Sequence, residues 1–469
     1  MPAVNPALFP SHFERLIQDA RLEAMLAEVN QRVAAGPVTP TIDLGAFKSE
    51  LAGFDFQHPR QLEDVLGWTI ARLEQGLVHL NHPRYLGLFN SAPTYPAQCA
   101  DRISAVFNPQ LASTATAPAA VALEAHVIRA VAKQAGLPAQ TTGHFTSGGS
   151  EANATAVICA LTRAAPDFAA IGSRAFTGQP VFYISAESHL AWIKIAHHSG
   201  IGRQAARLVA TDGSGRMSMA ALQAEIRADR EAGRVPFLLA ATAGTTNAGM
   251  VDPLGACAEI ARRENLWFHA DAAWGGGAIA SDRRRDLLAG LEAADSVTID
   301  AHKWFATTMG CGMFLTPHAG VLSAAFNVAT TFMPSHVPEL DPYVTTIQWS
   351  RRFLGLRLFL SLAAAGWAGH GEHVEHSFQM LEQLTCALAA RGWTLANGHD
   401  ALAVACLLPP PGSKPVEDIV AQVLRSGNAW VSVANFENVK VLRACVTHGE
   451  TSADDITQVV AALEQARLS

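Results

Sequence analysis

Charge is scarce in this chain. Asp, Glu, Lys and Arg make up only 16% of its 469 residues, against about a quarter in an ordinary soluble domain. Packing or a partner subunit therefore covers much of the surface. The net charge of -7, with no basic patch interleaved with aromatics, argues against nucleic-acid binding. No run of about twenty apolar residues escapes a polar break, so no membrane span is expected. The opening Met1-Pro2-Ala3-Val4-Asn5-Pro6-Ala7 has no basic stretch leading into an apolar one and does not read as a secretory signal. The seven cysteines are scattered, odd in number and without a CxxC pair or metal-ligand spacing. They read as reduced thiols of a cytoplasmic protein, and no metal is expected. Neither a GxxxxGK[ST] loop nor a GxGxxG fingerprint is present.

What is present is long enough for two or three domains. The first eighty or so residues read as helices, beginning at Ser11, three residues ahead of Glu14 in the spacing of a capping box. They carry too little apolar mass for a core of their own and are expected to pack on the next domain or across a dimer. From about residue 100 to 315, helices (119–133, 151–163, 254–264) alternate with short apolar runs (181–184, 237–242, 266–270, 296–299). That alternation predicts an α/β domain around a largely parallel sheet. The proline-containing stretch 326–348 has little periodicity and reads as an active-site lid. Beyond it, helices are expected at 351–368, 372–391, 415–425 and from 454, with strands at 401–408 and 439–446, an α+β ending.

Ligands of parallel sheets gather at strand C-terminal ends. Lys303, in Asp300-Ala301-His302-Lys303-Trp304, follows one expected strand, and Asp271, in His269-Ala270-Asp271-Ala272-Ala273, ends another. An amine for a Schiff base and a carboxylate for a pyridine nitrogen are the minimum kit for pyridoxal phosphate chemistry. Phe145-Thr146-Ser147-Gly148-Gly149-Ser150-Glu151-Ala152-Asn153 places glycines and hydroxyls at a helix start, where N–H groups and the helix dipole can cradle a phosphate. Ser147 and Gly148 are the candidate contacts. His189, just past a strand, can stack on a flat ring. Thr246, in Gly244-Thr245-Thr246, can bond near the ring's oxygen substituents. Taken singly each has an ordinary alternative: a turn, a structural histidine, a surface lysine. His269 and Asp271 lack a third ligand nearby for a metal.

In this order the motifs resemble the group II pyridoxal-phosphate-dependent amino-acid decarboxylases, which include the aromatic-L-amino-acid, glutamate and cysteine-sulfinate enzymes. The resemblance runs over nearly the whole chain, from Asn81-His82-Pro83-Arg84-Tyr85 and Thr94-Tyr95-Pro96 through the segments above to Gln348-Trp349-Ser350-Arg351-Arg352-Phe353 and Leu442-Arg443-Ala444-Cys445. It implies the aminotransferase-like fold (fold type I): a helical N-terminal dimerisation segment (1–85), a large cofactor domain with a mostly parallel seven-stranded sheet (86–370) and a small α+β domain (371–469). It implies an obligate homodimer acting on a small L-amino acid. Lys303 would hold the cofactor, Asp271 would face its nitrogen and His189 would stack on its ring. Ser147 and Gly148 would bind its phosphate, with Thr246, Ala273, Asp300 and His302 around it. Some relatives carry Asn where this chain has Asp300, and a carboxylate beside phosphate is unfavourable unless protonated or turned away.

Relatives also place a proton-donating tyrosine on a mobile loop about thirty residues past the lysine. This chain has Phe332 there, and Tyr343 farther along. The resemblance implies decarboxylation to an amine. Loss of that tyrosine implies an alternative in which aldehyde, ammonia and peroxide form. The segment from Tyr85 to Tyr95 offers apolar walls in Tyr85, Leu88, Phe89 and Tyr95, with Ser91 among them, and favours an aromatic substrate. Arg84 and Arg351 or Arg352 keep an acidic, glutamate-like or sulfinate-like substrate open.

Overall fold

The computed structural model describes residues 5–90, 92–328 and 341–468. Seven strands form the central sheet: β1 (Thr142–Thr146), β2 (Pro180–Ser185), β3 (Ala206–Val209), β4 (Val235–Thr242), β5 (Trp267–Asp271), β6 (Ser296–Asp300) and β7 (Gly312–Thr316). Their spatial order is β1-β7-β6-β5-β4-β2-β3. β7 runs antiparallel to both neighbours, and the other pairings are parallel. β2, β5 and β6 are buried along their whole length, as strands covered on both faces are; β2 is largely apolar, whereas β5 and β6 also bury His269, Asp271, Ser296, Thr298 and Asp300. β1 and β7 escaped the sequence reading because each is short, β1 reading Thr-Gly-His-Phe-Thr and β7 offering an apolar run of only Met313 to Leu315; β1 is held by pairing to β7 from Thr142↔Thr316 to Thr146↔Gly312.

One apolar core, including Val131, Leu239, Phe268 and Ile299, fills one face of the sheet. A second, including Ala156, Phe182, Trp192 and Phe237, fills the other. The helix Gly149–Ala164 buries Ala152, Asn153, Ala156 and Ala160; small side chains let its axis approach the sheet closely.

A smaller antiparallel sheet is built from β8 (Thr394–Leu395), β9 (Val404–Leu408), β10 (Ser432–Phe436) and β11 (Val439–Cys445), in the order β10-β11-β9-β8. Helices Val416–Ser426 and Ala453–Leu468 share its apolar core, through Ile419, Val423, Val459 and Leu463. The two helices expected at 351–368 and 372–391 are present within the helical stretch Gly355–Ala389 and meet at a kink at Gly366, where φ is 65°. The expected division at 370 falls inside it.

The N-terminal helices are His12–Ala27, Val29–Ala35, Leu44–Ala52 and Leu62–Gly76. The first carries the expected capping box, with Ser11 Oγ accepting from the Glu14 amide at 3.3 Å and Glu14 Oε2 accepting from the Ser11 amide at 2.9 Å. Of all four helices only Val33 is buried, while Leu8, Phe9, Phe13 and Leu16 stay exposed. Among the described residues no single helix is long and apolar enough to cross a membrane. All seven cysteines are unpaired.

Burial sets how this fold responds to acid. Desolvation pushes His82, His269, His370 and His373 down to about 4 and His144 to about 3. Between those values and the ordinary histidine value of about 6.5, the unfolded chain binds the extra protons, so stability falls as pH drops through that window. Asp252, raised to about 6 by burial, works the other way over part of the same range but is one group against five. Urea midpoints are therefore expected to be lower at pH ~5 than at pH ~7; equal midpoints would contradict the assignment of these histidines as neutral.

Candidate active site

The parallel strands β2, β4, β5 and β6 point their C-terminal ends the same way, and a cavity of about 310 Å³ opens there. Ser147, Gly148, His189, Thr246, Asp271, Ala273, Asp300, His302 and Lys303, the positions expected to surround a cofactor, all line it. Strand ends and the turns behind them bring these residues together from across the chain. Asp271 ends β5, Asp300 ends β6, and Lys303 sits one turn later, its amide bonded to the Asp300 carbonyl at 3.1 Å. Gly244 opens the turn after β4 with φ 107°, and a Cβ there would come within 2.9 Å of Leu402 and 3.0 Å of Trp274. Only glycine fits that approach.

Asp271 is buried, and its charge is met by fixed donors. Oδ2 accepts from Asn153 Nδ2 at 2.8 Å and from Trp192 Nε1 at 3.2 Å, while Oδ1 accepts from the Ala273 amide at 3.2 Å. A buried carboxylate without such partners would be strongly destabilising. His189 stands at the cavity mouth with Nδ1 accepting from the Ala191 amide at 3.2 Å.

Lys303 Nζ lies 3.0 Å from Asp300 Oδ2 and 5.9 Å from the Phe89 ring centroid. His302 Nδ1 accepts from the Cys311 amide at 3.2 Å, and burial pushes its imidazole below the ordinary value.

The opposite end of the cavity fits a phosphate in shape. The first turn of Gly149–Ala164 presents N–H groups that no intrahelical carbonyl can accept. A Cβ at Gly149 would lie 2.9 Å from Asp300 Oδ2 and 3.2 Å from Ala273 Cβ, so the backbone itself forms the wall. Its charge is the departure. Ser147 donates through its amide and Oγ to Glu151 Oε2, at 2.8 and 2.7 Å, and Asp300 Oδ1 is buried without a hydrogen-bond partner among the described residues. A phosphate here would take Ser147 from Glu151 and meet the Asp300 carboxylate.

The apolar wall is aromatic. The Phe89 ring stacks on Trp274 at 4.1 Å and 13°, and Trp274 stacks on Trp304 at 4.9 Å and 13°. Phe89 and Trp274 both face the cavity. Of the expected walls, Tyr85, Leu88 and Tyr95 do not line this cavity within one chain, nor does Tyr343, the tyrosine expected farther along the loop; Leu88 is exposed. Tyr85 is 2% exposed, packs on Trp430 at 5.1 Å and accepts the Leu88 amide at its hydroxyl. Tyr95 starts the helix Tyr95–Phe107, is 70% exposed and borders a separate cavity of about 330 Å³. Tyr343 is buried with Ala112 and Val344 beside Trp349. Ser91, Phe332 and most of the expected lid lie outside the described residues. Arg351, one of the arginines that kept an acidic substrate open, is buried and held by Glu124 at 2.6 Å and does not line this cavity.

The sequence reading did not single out Asn153 and Trp192 as site residues, although each sits on a helix with a buried face aimed at β5. It also passed over Arg443, which is buried behind Phe89. Its Nε donates to the Thr246 carbonyl at 2.7 Å, its guanidinium stands 4.9 Å from the Phe89 centroid, and its Nη2 has no hydrogen-bond partner among the described residues. A polar residue inside an otherwise alanine-rich helix is the signal that could have found Asn153.

The pyridoxal-dependent decarboxylase conserved domain matches residues 51–395. An L-2,4-diaminobutyrate decarboxylase of Rhizobium meliloti (strain 1021) is 32% identical over 76% of this chain and 72% of its own. An aromatic-L-amino-acid decarboxylase of Bacillus atrophaeus is 27% identical over 90% of this chain and 89% of its own. The crystal structure of mouse CSAD in apo form superposes with a TM-score of 0.87 at 26% identity, covering 96% of this chain and 99% of that one.

The charge at the phosphate end yields a prediction. Asp300→Asn is expected to bind pyridoxal 5'-phosphate about tenfold more tightly at neutral pH, the size of a ~1.4 kcal/mol relief of like-charge repulsion. Titration of apo protein by cofactor absorbance measures it, and equal affinity of both forms at every pH would mean that Asp300 is turned away from the phosphate.

Proposed function

The chain belongs to the pyridoxal-dependent decarboxylase family and is a carboxy-lyase that uses pyridoxal 5'-phosphate; from that premise we propose that it decarboxylates an L-aromatic amino acid to the corresponding amine. The observation that carries this reading is one cavity in which Lys303, Asp271 and the Ser147–Ser150 turn converge against the Phe89–Trp274 stack. When bound, the cofactor supplies an electron-withdrawing ring that accepts the electron pair of the breaking Cα–carboxylate bond.

The chain's own residues divide the remaining work. Lys303 would hold the cofactor's aldehyde carbon through its amine. Asp271 would hold a proton at the ring nitrogen. His189, at the cavity mouth, would cover the ring face, and Ser147, Gly148 and the helix start behind them would hold the phosphate. Thr246, Ala273 and His302 would complete the cofactor's surroundings. The spare Nη2 of Arg443, close behind Phe89 and Thr246, would draw the substrate carboxylate to that side.

An aromatic side chain is favoured because ring stacking on Phe89 suits it, and because, among the described residues, the cavity wall offers no arginine for a distal acid. An acidic substrate is the reading this disfavours.

A homodimer is favoured by the unburied apolar side chains of the N-terminal helices, together with Val106 and Phe107 at 82% and 78% exposure. The unpaired cysteines fit a cytoplasmic setting.

A second reading rests on the missing tyrosine. Phe332 has no hydroxyl proton, and among the described residues no tyrosine lines the cavity. Without a donor at Cα, dioxygen can take the electrons. The balance is then amino acid plus dioxygen and water giving aldehyde, ammonia, carbon dioxide and hydrogen peroxide.

Turnover of a panel of aromatic and acidic L-amino acids, with product mass, carbon dioxide and peroxide read together, decides between these readings. Amine equimolar with carbon dioxide is expected from aromatic substrates, and turnover confined to acidic ones would overturn the substrate assignment. If peroxide forms, Phe332→Tyr should suppress it; unchanged peroxide would remove Phe332 from that role. Lys303→Ala should abolish covalent attachment of the cofactor, seen as loss of its visible absorbance.

A further inference from the structure

Behind Asp271 runs a line of buried polar side chains, of which Asn153 also lines the cavity while His269, Ser296, Thr298 and Trp267 do not. Trp267 Nε1 donates to Ser296 Oγ at 2.8 Å. Ser296 Oγ lies 2.8 Å from His269 Nδ1. His269 Nε2 lies 3.1 Å from Asn153 Oδ1 and 3.3 Å from Thr298 Oγ1. Asn153 Nδ2 donates to Asp271 Oδ2 at 2.8 Å. Asn153, His269, Ser296 and Thr298 are all buried.

The direction of each bond follows from the carboxylate. A carboxylate only accepts, so the amide group of Asn153 must face Asp271 and its carbonyl must face His269. That carbonyl needs a donor, which places the imidazole proton on Nε2. Nδ1 is then an acceptor and takes the Ser296 hydroxyl proton, while the Ser296 oxygen accepts from Trp267. With a neutral imidazole every donor and acceptor in the line is matched. Burial, pushing His269 down to about 4, keeps it neutral.

The line also sets what is left over on Asp271. Oδ2 receives two donors, Asn153 and Trp192, and its lone pairs are filled. Oδ1 receives one, the Ala273 amide.

We propose that Asn153 and His269 are positioning residues that, through this directed line from Trp267 and Ser296, hold Asp271 so that Oδ1 is the oxygen offered to the cofactor's ring nitrogen. The inference rests on the reading of Asp271 as the partner of that nitrogen. It assigns the interior histidine of the His269-Ala270-Asp271 segment a role in orientation, reached through Asn153, instead of metal binding. Asn153 lies on the helix whose first turn forms the phosphate cradle. One rigid element therefore sets both ends of the cofactor's site.

The test uses holoenzyme reconstituted with pyridoxal phosphate labelled with 15N in the ring, whose chemical shift reports protonation of that nitrogen. Asn153→Ala is expected to move the resonance toward the unprotonated value and to weaken cofactor binding about tenfold. Ser296→Ala removes only the hydroxyl that fixes the His269 tautomer, and should move the resonance in the same direction by less. Asp271→Asn is measured alongside. If it shifts the resonance while both other variants leave it at the wild-type value, the positioning line is overturned and the role of Asp271 stands. If Asp271→Asn also leaves it unmoved, the reading of Asp271 fails and takes the inference with it. Should Asn153→Ala not fold, Ser296→Ala carries the same two outcomes.

Discussion

A carboxylate sealed at the end of a central parallel strand is the constraint around which the rest of this molecule is arranged. Asp271 has little water to satisfy its charge, and desolvating an ion costs several kcal/mol unless fixed donors replace the solvent. The donors come from three separate elements: Asn153 on the helix Gly149–Ala164, Trp192 on the helix Ala191–His198, and the backbone at Ala273. Each must be in place for the others to serve. The sheet order that puts β5 between β4 and β6 is what brings those elements within reach.

From that point the site extends in two directions with opposite chemistry. Toward β6 the surroundings are charged and tight: Asp300, Lys303 and His302 occupy the turn after the strand, and Gly149 leaves no room for a side chain. In the other direction they are flat and apolar, with Phe89, Trp274 and Trp304 stacked in succession and Trp304 anchored through Nε1 to Ser377 at 3.0 Å. A polar cofactor head and an apolar substrate tail suit such a split. The charged end also distinguishes this chain from relatives with Asn at the Asp300 position. In this structure the Lys303 amine pairs with Oδ2 of Asp300, while Oδ1 has no hydrogen-bond partner among the described residues.

Much of this was legible in advance, for reasons that differ from residue to residue. β2, β4, β5 and β6 could be read because strands buried on both faces are short runs rich in apolar and β-branched residues. Lys303, Asp271, Ser147 and His189 could be read because each follows an apolar run or opens a helix, and strand ends in parallel sheets are where ligands collect. β1 and β7 could not, since five-residue strands with little or no apolar run become strands only when a partner supplies the hydrogen bonds. The pair of helices about residue 370 was legible for a local reason: Gly366, at φ 65°, breaks the helical path where propensity places a stop.

The sequence by itself determined the alternation of helix and strand, the cofactor chemistry and the order of the motifs that carry it, because those depend on residue type and short spacing. Only the tertiary structure decided which aromatics meet the cavity and which do not. Tyr85, Phe89 and Tyr95 lie within one short segment, yet Phe89 alone faces Lys303, while Tyr85 is claimed by Trp430 and Tyr95 by the start of a surface helix. The same holds for Asn153, His269 and Ser296, far apart in the chain and joined in one hydrogen-bonded line. Contacts between distant segments depend on how the sheet and its helices close on one another, and no local pattern of residues encodes that closure.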